Sequence, residues 1–499
     1  MDIKFKTTTY GLITCSYNNV RLHSFYNPEK EAERFANTAQ CDFNPGCVLV
    51  TEPAVSYCLE FLKKRFSKAR MCCIRFTRDF DDFNKGWDKV FYACNTEGKL
   101  NTNLSEEIFS FSGEEGIAST LFLPWKASDQ AFPEVSSFAW SEIKKAVLKS
   151  RSVLGTRNYF ARRWTKNALR FSLFVKNTAG IKKGTSDILI CASGPSLKTS
   201  IPLIKKYKDR FYLIAVSSAL APLVKAGIFP DLCISTDGGY YAKEHISFAL
   251  NDKSIPLALA DEGSCYGSIF NHVTVVPLLY GDGTSEAILK ESGFNGIQAV
   301  RNGSVSGTAL FLALNLTSGN VYYCGLDLAY SKGHIHTQPN ELEINDSRFD
   351  SRLRTTETRI SASVLNKGSI DIYRSWFSSQ DFKGRVFRLS SRYSYSSGLG
   401  KIADIDWEAF AEKTGNYKNT VKPQLTELNK TVCNKNKIEI LKDICLRNSK
   451  DSQWIHNAVP SEAVVMDRTE GTEFYEEARK TVEDGMKEFL TDIKRAFEK

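Results

Sequence analysis

The sequence predicts an α/β protein: a central Rossmann-like, doubly wound, mostly parallel sheet, with a smaller N-terminal α/β domain and a C-terminal helical region. Three observations carry that expectation. Between about 185 and 395, short and almost wholly apolar runs alternate with helical stretches, the pattern of a parallel sheet covered on both faces. At 47–76 a β-branched run, an amphipathic stretch and the run MCCIRF follow one another, which is one βαβ unit. Beyond about 400 the rhythm is lost and Lys, Glu and Asn become frequent.

Taken in order, CVLVT reads as a strand, Ala54–Phe66 as a helix and MCCIRF as a strand. The turn Thr51-Glu52-Pro53 lacks the glycines that let a backbone approach phosphate, so no chemistry is assigned to it. The two prolines of LPWKASDQAFPEV mark a boundary. SDILICAS, RFYLIAVSS, PDLCISTDGG, SIPLALAD, HVTVVPLL and VYYCGLDLAY read as strands. IPLIKKYKD, LAPLVKAG with Gly227 as its stop, and SGTALFLALNLTSG read as helices between them. Glu473–Lys499 is an amphipathic helix with Tyr475, Ala478, Val482, Met486, Phe489, Ile493 and Phe497 on one face. The expected domains are 1–135, α/β; 136–184, a basic helical connector; 185–400, the Rossmann-like domain; and 401–499, helical.

The chain has 499 residues, 42% apolar and 25% charged, which excludes a disordered, collagen-like or coiled-coil protein. No apolar run approaches the ~18–20 residues of a membrane span. The N-terminal segment has no signal-peptide pattern. Thirteen cysteines are scattered through strand-like contexts without a CxxC pair, which points to a reducing cytoplasm and no structural metal; separately, no cofactor is expected. The net charge of +9 is concentrated: Ser141–Lys183 carries twelve Lys/Arg and one Glu. This reads as a solvated helical connector or as a docking surface for an acidic or phosphate-bearing partner. No nucleic-acid-binding motif accompanies it.

Four segments carry candidate chemistry. Ser193-Gly194-Pro195-Ser196 follows a strand and opens a helix, where backbone N–H groups and the helix dipole would hold an anion such as a nucleotide phosphate. Asp237, in STDGGYY, ends a strand and would meet a ribose hydroxyl, a sugar or Mg²⁺. Asn302, Gly303, Ser304 and Ser306 gather at a helix start, more hydroxyls than one cap needs. Asp327 and Tyr330 end a buried strand, and His334 and His336 follow, two of only six histidines and candidates for a general base. His245 is left without a role.

ILICASGPSL, PDLCISTDGG, RNGSVSGTALFLAL and VYYCGLDLAYSKGHIHT, in that order, resemble the motility-associated factor (Maf) flagellin glycosyltransferases. The central domain of that family is similar to MptE-like pterin diphosphokinases and to bacterial sialyltransferases with a GPSL turn. Leu326 stands where Maf sequences commonly carry Gln. The resemblance implies metal-independent, inverting transfer of a sialic-acid-like nonulosonic acid (pseudaminic or legionaminic) from a CMP-activated donor to Ser or Thr of flagellin. It implies that Ser193, Gly194, Pro195 and Ser196 hold the CMP phosphate and ribose, with Asp237 also on the donor nucleotide. Asn302, Gly303, Ser304 and Ser306 would hold the cytidine or the sugar carboxylate. Tyr330 would stabilise the leaving phosphate, with Asp327 beside it, and His336 would be the base, with His334 as the alternative. Two other readings stand beside it: an MptE-like diphosphokinase using ATP and Mg²⁺ on Asp237 and Asp327, and a non-catalytic flagellin-binding module.

Overall fold

The computed structural model describes residues 3–246, 255–328, 336–358, 368–389, 398–427, 429–430 and 435–497. The chain divides into two compact units, Met1–Tyr159 with Ile455–Glu488, and Phe160–Trp454 with Phe489–Lys499.

In the first unit, β1 (Lys4–Thr7), β2 (Ile13–Tyr17) and β3 (Val20–Arg21) form a small antiparallel sheet. A second, parallel sheet is built from β4 (Cys47–Thr51), β5 (Arg70–Arg75), β6 (Lys89–Tyr92) and β7 (Thr120–Pro124), in the order β6-β5-β4-β7. Every residue of β4 is buried, because helices cover both faces. Ala32, Ala36, Leu59 and Leu62 pack on one face and Leu104, Ile108, Ala139 and Ile143 on the other.

The first helix after β4 starts at Cys58, four residues later than the sequence suggests. Glu52, Ala54 and Ser56 adopt φ of 34°, 47° and 65°, which no helix tolerates. The fully buried Arg75 guanidinium holds this turn in place, donating to Glu52 Oε1 (2.9 Å), Ala54 O (2.7 Å) and Ser56 Oγ (2.8 Å).

The basic stretch lies mostly on one helix, Pro133–Phe174. Part of its charge is paired within each unit. Lys149 meets Glu106 (2.6 Å), and Arg157 meets Glu114 (2.5 Å) and Glu115 (2.8 Å). In the second unit Arg162 and Lys166 approach Asp492 (3.6 and 3.7 Å). The amphipathic helix near the C-terminus spans Tyr475–Phe497, with Ala478, Val482, Met486, Phe489 and Ile493 buried as its stripe predicts.

The second unit holds β8 (Asn177–Thr178), β9 (Ile181–Lys182), β10 (Ile188–Cys191), β11 (Tyr212–Val216), β12 (Leu232–Ser235), β13 (Leu257–Ala260), β14 (Thr274–Leu279), β15 (Ile297–Gln298), β16 (Val321–Cys324), β17 (Val386–Leu389), β18 (Ala403–Ile405), β19 (Gln424–Leu425) and β20 (Asn429–Lys430). Its main sheet runs β18-β17-β16-β10-β11-β12-β13-β14-β8-β20, with β15 on β14. All its pairings are parallel except β20 on β8. The doubly wound, mostly parallel sheet expected from the sequence is present. Two of its strands, β18 and β20, come from beyond residue 400.

From β10 the chain steps outward through β11, β12, β13 and β14. It then returns along the helix Val305–Leu316 to β16, on the other side of β10, and continues to β17 and β18. The order therefore reverses between β10 and β16, the place where open α/β sheets bind ligands at the carboxyl ends of their strands. Among the described residues no helix is long and apolar enough to cross a membrane.

Candidate functional site

Two glycines let the ends of β10 and β16 close on each other. Gly194 N donates to Gly325 O (2.8 Å), and a Cβ at Gly194 would stand 2.5 Å from both Gly325 O and Asp327 Oδ2. Gly325 has φ of 70°, and a Cβ there would meet Ala192 O at 2.2 Å. This contact places Asp327 against the Ser193–Ser196 turn.

The turn differs from the open anion cradle expected of it. Asp327 Oδ2 accepts from Ser196 N (2.8 Å), Gly194 O from Leu197 N (3.0 Å) and Pro195 O from Lys198 N (3.3 Å), and Pro195 has no N–H. These amides are all taken by the protein, so the main-chain grip on a phosphate is already filled, at its centre by the Asp327 carboxylate. Burial pushes that carboxyl above its ordinary pKa, against its bonds to Ser196 and the pull of Arg388. Asp327 thus caps the helix Leu197–Tyr207. The Ser196 hydroxyl also bonds to the Asp327 carboxylate. Ser218, at the start of the helix after β11, donates to Ser193 Oγ (2.7 Å), and Ser196 is buried.

His336 belongs to the same place. The next residue, Thr337, donates its N–H to Ser193 O (2.7 Å) and its hydroxyl to Gly194 O. His336 Nδ1 lies 3.8 Å from Glu343 Oε1, and its ring faces that of His245, with centroids 5.9 Å apart. Tyr330 and His334 lie outside the described residues.

The other two candidate segments lie further along the same edge. Asp237, past the end of β12, is exposed, and its Oδ1 accepts from Gly239 N (2.7 Å). Ser304 caps the helix Val305–Leu316 by accepting from Gly307 N (3.1 Å), and donates to Asn302 Oδ1 (2.9 Å). A Cβ at Gly307 would stand 1.7 Å from Asn302 Oδ1, so glycine is required for Asn302 to fold over the helix start. Asn302 and Ser304 are thus partly spent on the cap. Gly303 O accepts from Tyr373 Oη (2.8 Å) and Ser306 O from Tyr323 Oη (2.5 Å).

Sequence reasoning missed Ser218, Thr337 and Glu343, and left His245 aside. It also missed Arg388 of β17, which holds Asp404 through Nε (2.6 Å) and Nη2 (2.8 Å) and donates to Leu326 O (3.3 Å). A charge inside the apolar run VFRL was its signal. A further cluster caps β13 and β14: Arg301 pairs with Glu262 (2.5 Å) and Asp282 (2.8 Å) and stacks 4.3 Å over Tyr280. Burial, then the neighbouring Glu262, push Asp261 well above the usual carboxylate range. Among the described residues no group of three His, Cys, Asp or Glu is placed to hold a metal ion.

Comparison with known proteins bears on this edge of the sheet. Residues 162–333 match a family model described as 6-hydroxymethylpterin diphosphokinase MptE-like. That segment contains the Ser193–Ser196 turn, Asp237, Asn302 and Asp327, and stops three residues short of His336. Two uncharacterized proteins of Treponema pallidum (strain Nichols) are similar to this chain. One is 28% identical over 308 residues, covering 60% of this chain and 67% of that protein. The other is 30% identical over 150 residues, covering 28% and 63%. The chain spans about two thirds of the length of the first and less of the second. A solved structure of Maf glycosyltransferase from Magnetospirillum magneticum AMB-1 is similar at 12% identity and a TM-score of 0.49, covering 100% of this chain and 90% of that one.

Proposed function

We propose that this chain is a glycosyltransferase that moves a nonulosonic acid, of the pseudaminic or legionaminic type, from a CMP-activated donor to Ser or Thr of flagellin. The transfer is metal-independent, inverts the anomeric centre and takes place in the cytoplasm. One observation carries the reading: at the switch point of an MptE-like sheet, a serine-bearing turn and an imidazole are fastened together through Thr337. The donor needs hydrogen-bond donors around its phosphate as negative charge builds there, and in this reading the Ser193 hydroxyl, which accepts from Ser218 (2.7 Å), turns to it. The acceptor hydroxyl must lose a proton as it attacks, and His336 is the group to take it.

The diphosphokinase reading fits less well. It needs Asp237 and Asp327 on one Mg²⁺, yet they follow β12 and β16, which stand three strands apart in the sheet. At about 4.8 Å per strand their strand ends are about 14 Å apart. Asp327 is also committed to Ser196 N.

The test is intact-mass analysis of flagellin incubated with the full chain and CMP-pseudaminate or CMP-legionaminate, with and without EDTA. A mass gain of one nonulosonic acid that survives EDTA supports the reading. A His336→Ala protein should lose transfer by about 10²–10⁴-fold while keeping thermal protection by CMP. Dependence on ATP and Mg²⁺, with a pterin as acceptor, would replace this reading with the diphosphokinase.

A further inference from the structure

We infer that Glu343 is the positioning residue for the His336 imidazole and that His245 is the second imidazole of the same proton-handling site. The inference rests on the transferase reading. Glu343 sits on the short helix Glu341–Ser347, whose start is fixed by Asn340 Oδ1 accepting from Glu343 N (3.3 Å). Its carboxylate grips the preceding segment at both ends. Oε1 accepts from His336 N (3.4 Å) and lies 3.8 Å from His336 Nδ1, and Oε2 accepts from Gln338 Nε2 (2.5 Å). Between these two points Thr337 is tied to Ser193 O and Gly194 O. Three consecutive residues therefore couple the base to the serine turn, and Glu343 sets where they lie.

His245 is the second ring next to His336. It follows the helical turn Tyr240–Lys243, and its ring faces that of His336 at 67°. Its Nδ1 is buried with no hydrogen-bond partner among the described residues. Burial, and then the neighbouring His336, bring its pKa down to about 4, so it is neutral near pH 7. Two imidazoles this close do not both carry charge easily, and His336 is the one whose Nδ1 lies beside the Glu343 carboxylate.

With Nδ1 turned to Glu343, Nε2 of His336 is the nitrogen that receives the proton. The acceptor O–H bond breaks and its proton passes to Nε2, while a bond forms between the acceptor oxygen and the anomeric carbon. The anomeric C–O bond to phosphate breaks, and its electron pair leaves with CMP. The Glu343 carboxylate then faces an imidazolium, a pair of opposite charges that exists only once the proton has moved.

The test uses the full-length Glu343→Gln protein, with flagellin and CMP-pseudaminate. The amide keeps an acceptor for His336 N but loses the negative charge. The expected result is a fall in kcat of at least about tenfold with the donor KM nearly unchanged, and partial recovery in Glu343→Asp. Parental kcat in Glu343→Gln, or equal losses in kcat and in CMP affinity, would overturn the assignment, the latter marking a merely structural role. Histidine-selective NMR gives a readout independent of transfer. His245 should titrate near its depressed value in the parent and at higher pH in His336→Gln. Titration near the ordinary value of 6.5 in both would overturn the pairing. Absence of transfer by the parent protein, with the NMR result intact, would defeat the transferase reading and leave the arrangement standing.

Discussion

Asp327 shows how one side chain holds two strand ends together. It sits beyond β16, accepts from Ser196 N beyond β10, and is mostly buried. Replacing it with Ala leaves Ser196 N–H buried without an acceptor, a loss of about 1–3 kcal/mol. Asp327→Asn keeps an acceptor and removes the ionisation. Because burial raises the carboxyl pKa in the fold, protonated Asp327 adds stability at low pH, and that increment is lost as pH rises through the folded-state value. Melting temperatures should therefore move in favour of Asp327→Asn, relative to the parent, as pH rises from about 4, the ordinary carboxyl value. A difference that does not vary with pH would refute the buried-carboxyl account. Thr337→Val should weaken CMP protection, because it removes the hydroxyl bond to Gly194 O while keeping shape. The sequence singled out the serine turn, Asp327 and His336 because strand-end Ser, Gly, Asp and His are chemically distinctive. Thr337, Ser218 and Glu343 were not, since their roles come from contacts between residues as far apart as 143 positions.

Elements were easier to read where burial on both faces forced apolar runs. β10, β11, β12, β13, β14 and β16 all fall inside the runs that the sequence marks. The misplaced start of the helix at Cys58 has a local cause: Glu52, Ala54 and Ser56 are held at positive φ by Arg75, a tertiary contact with no trace in the periodicity. The β10–β16 closure makes a sharper prediction. In Gly194→Ala the new Cβ meets backbone and a held carboxylate, not a flexible tip, so strands or turn must shift. A loss of about 1–3 kcal/mol in urea unfolding is expected, with thermal protection by CMP lost. Parental stability together with intact CMP protection would mean that the two strand ends are not closed as described.

Across the molecule, the chain does not follow sequence order: Ile455–Glu488 belongs with the first unit and Phe489–Lys499 with the second. The sequence offers no direct sign of this, because helices of similar composition serve both. Within the first unit, His456 joins Glu115 (Nδ1 to Oε2, 2.8 Å) and Asp467 (Nε2 to Oδ2, 3.2 Å). The hydrogen bond to Glu115 chiefly raises its pKa above 6.5. The stability it gives is fully present below the unfolded value and is lost as pH rises through the folded one. The advantage of the parent over His456→Gln in urea midpoint should shrink as pH rises above about 6.5, the ordinary imidazole value, and an advantage that grows would contradict the assignment. The whole account turns on one site that binds a CMP-sugar and deprotonates a hydroxyl. Intact mass of flagellin after incubation with the full chain, CMP-pseudaminate and EDTA tests it most directly. The account predicts added mass in whole multiples of one nonulosonic acid, falling by about 10²–10⁴-fold in rate with His336→Ala; unchanged flagellin mass with both CMP-pseudaminate and CMP-legionaminate, or equal transfer by His336→Ala, would contradict it.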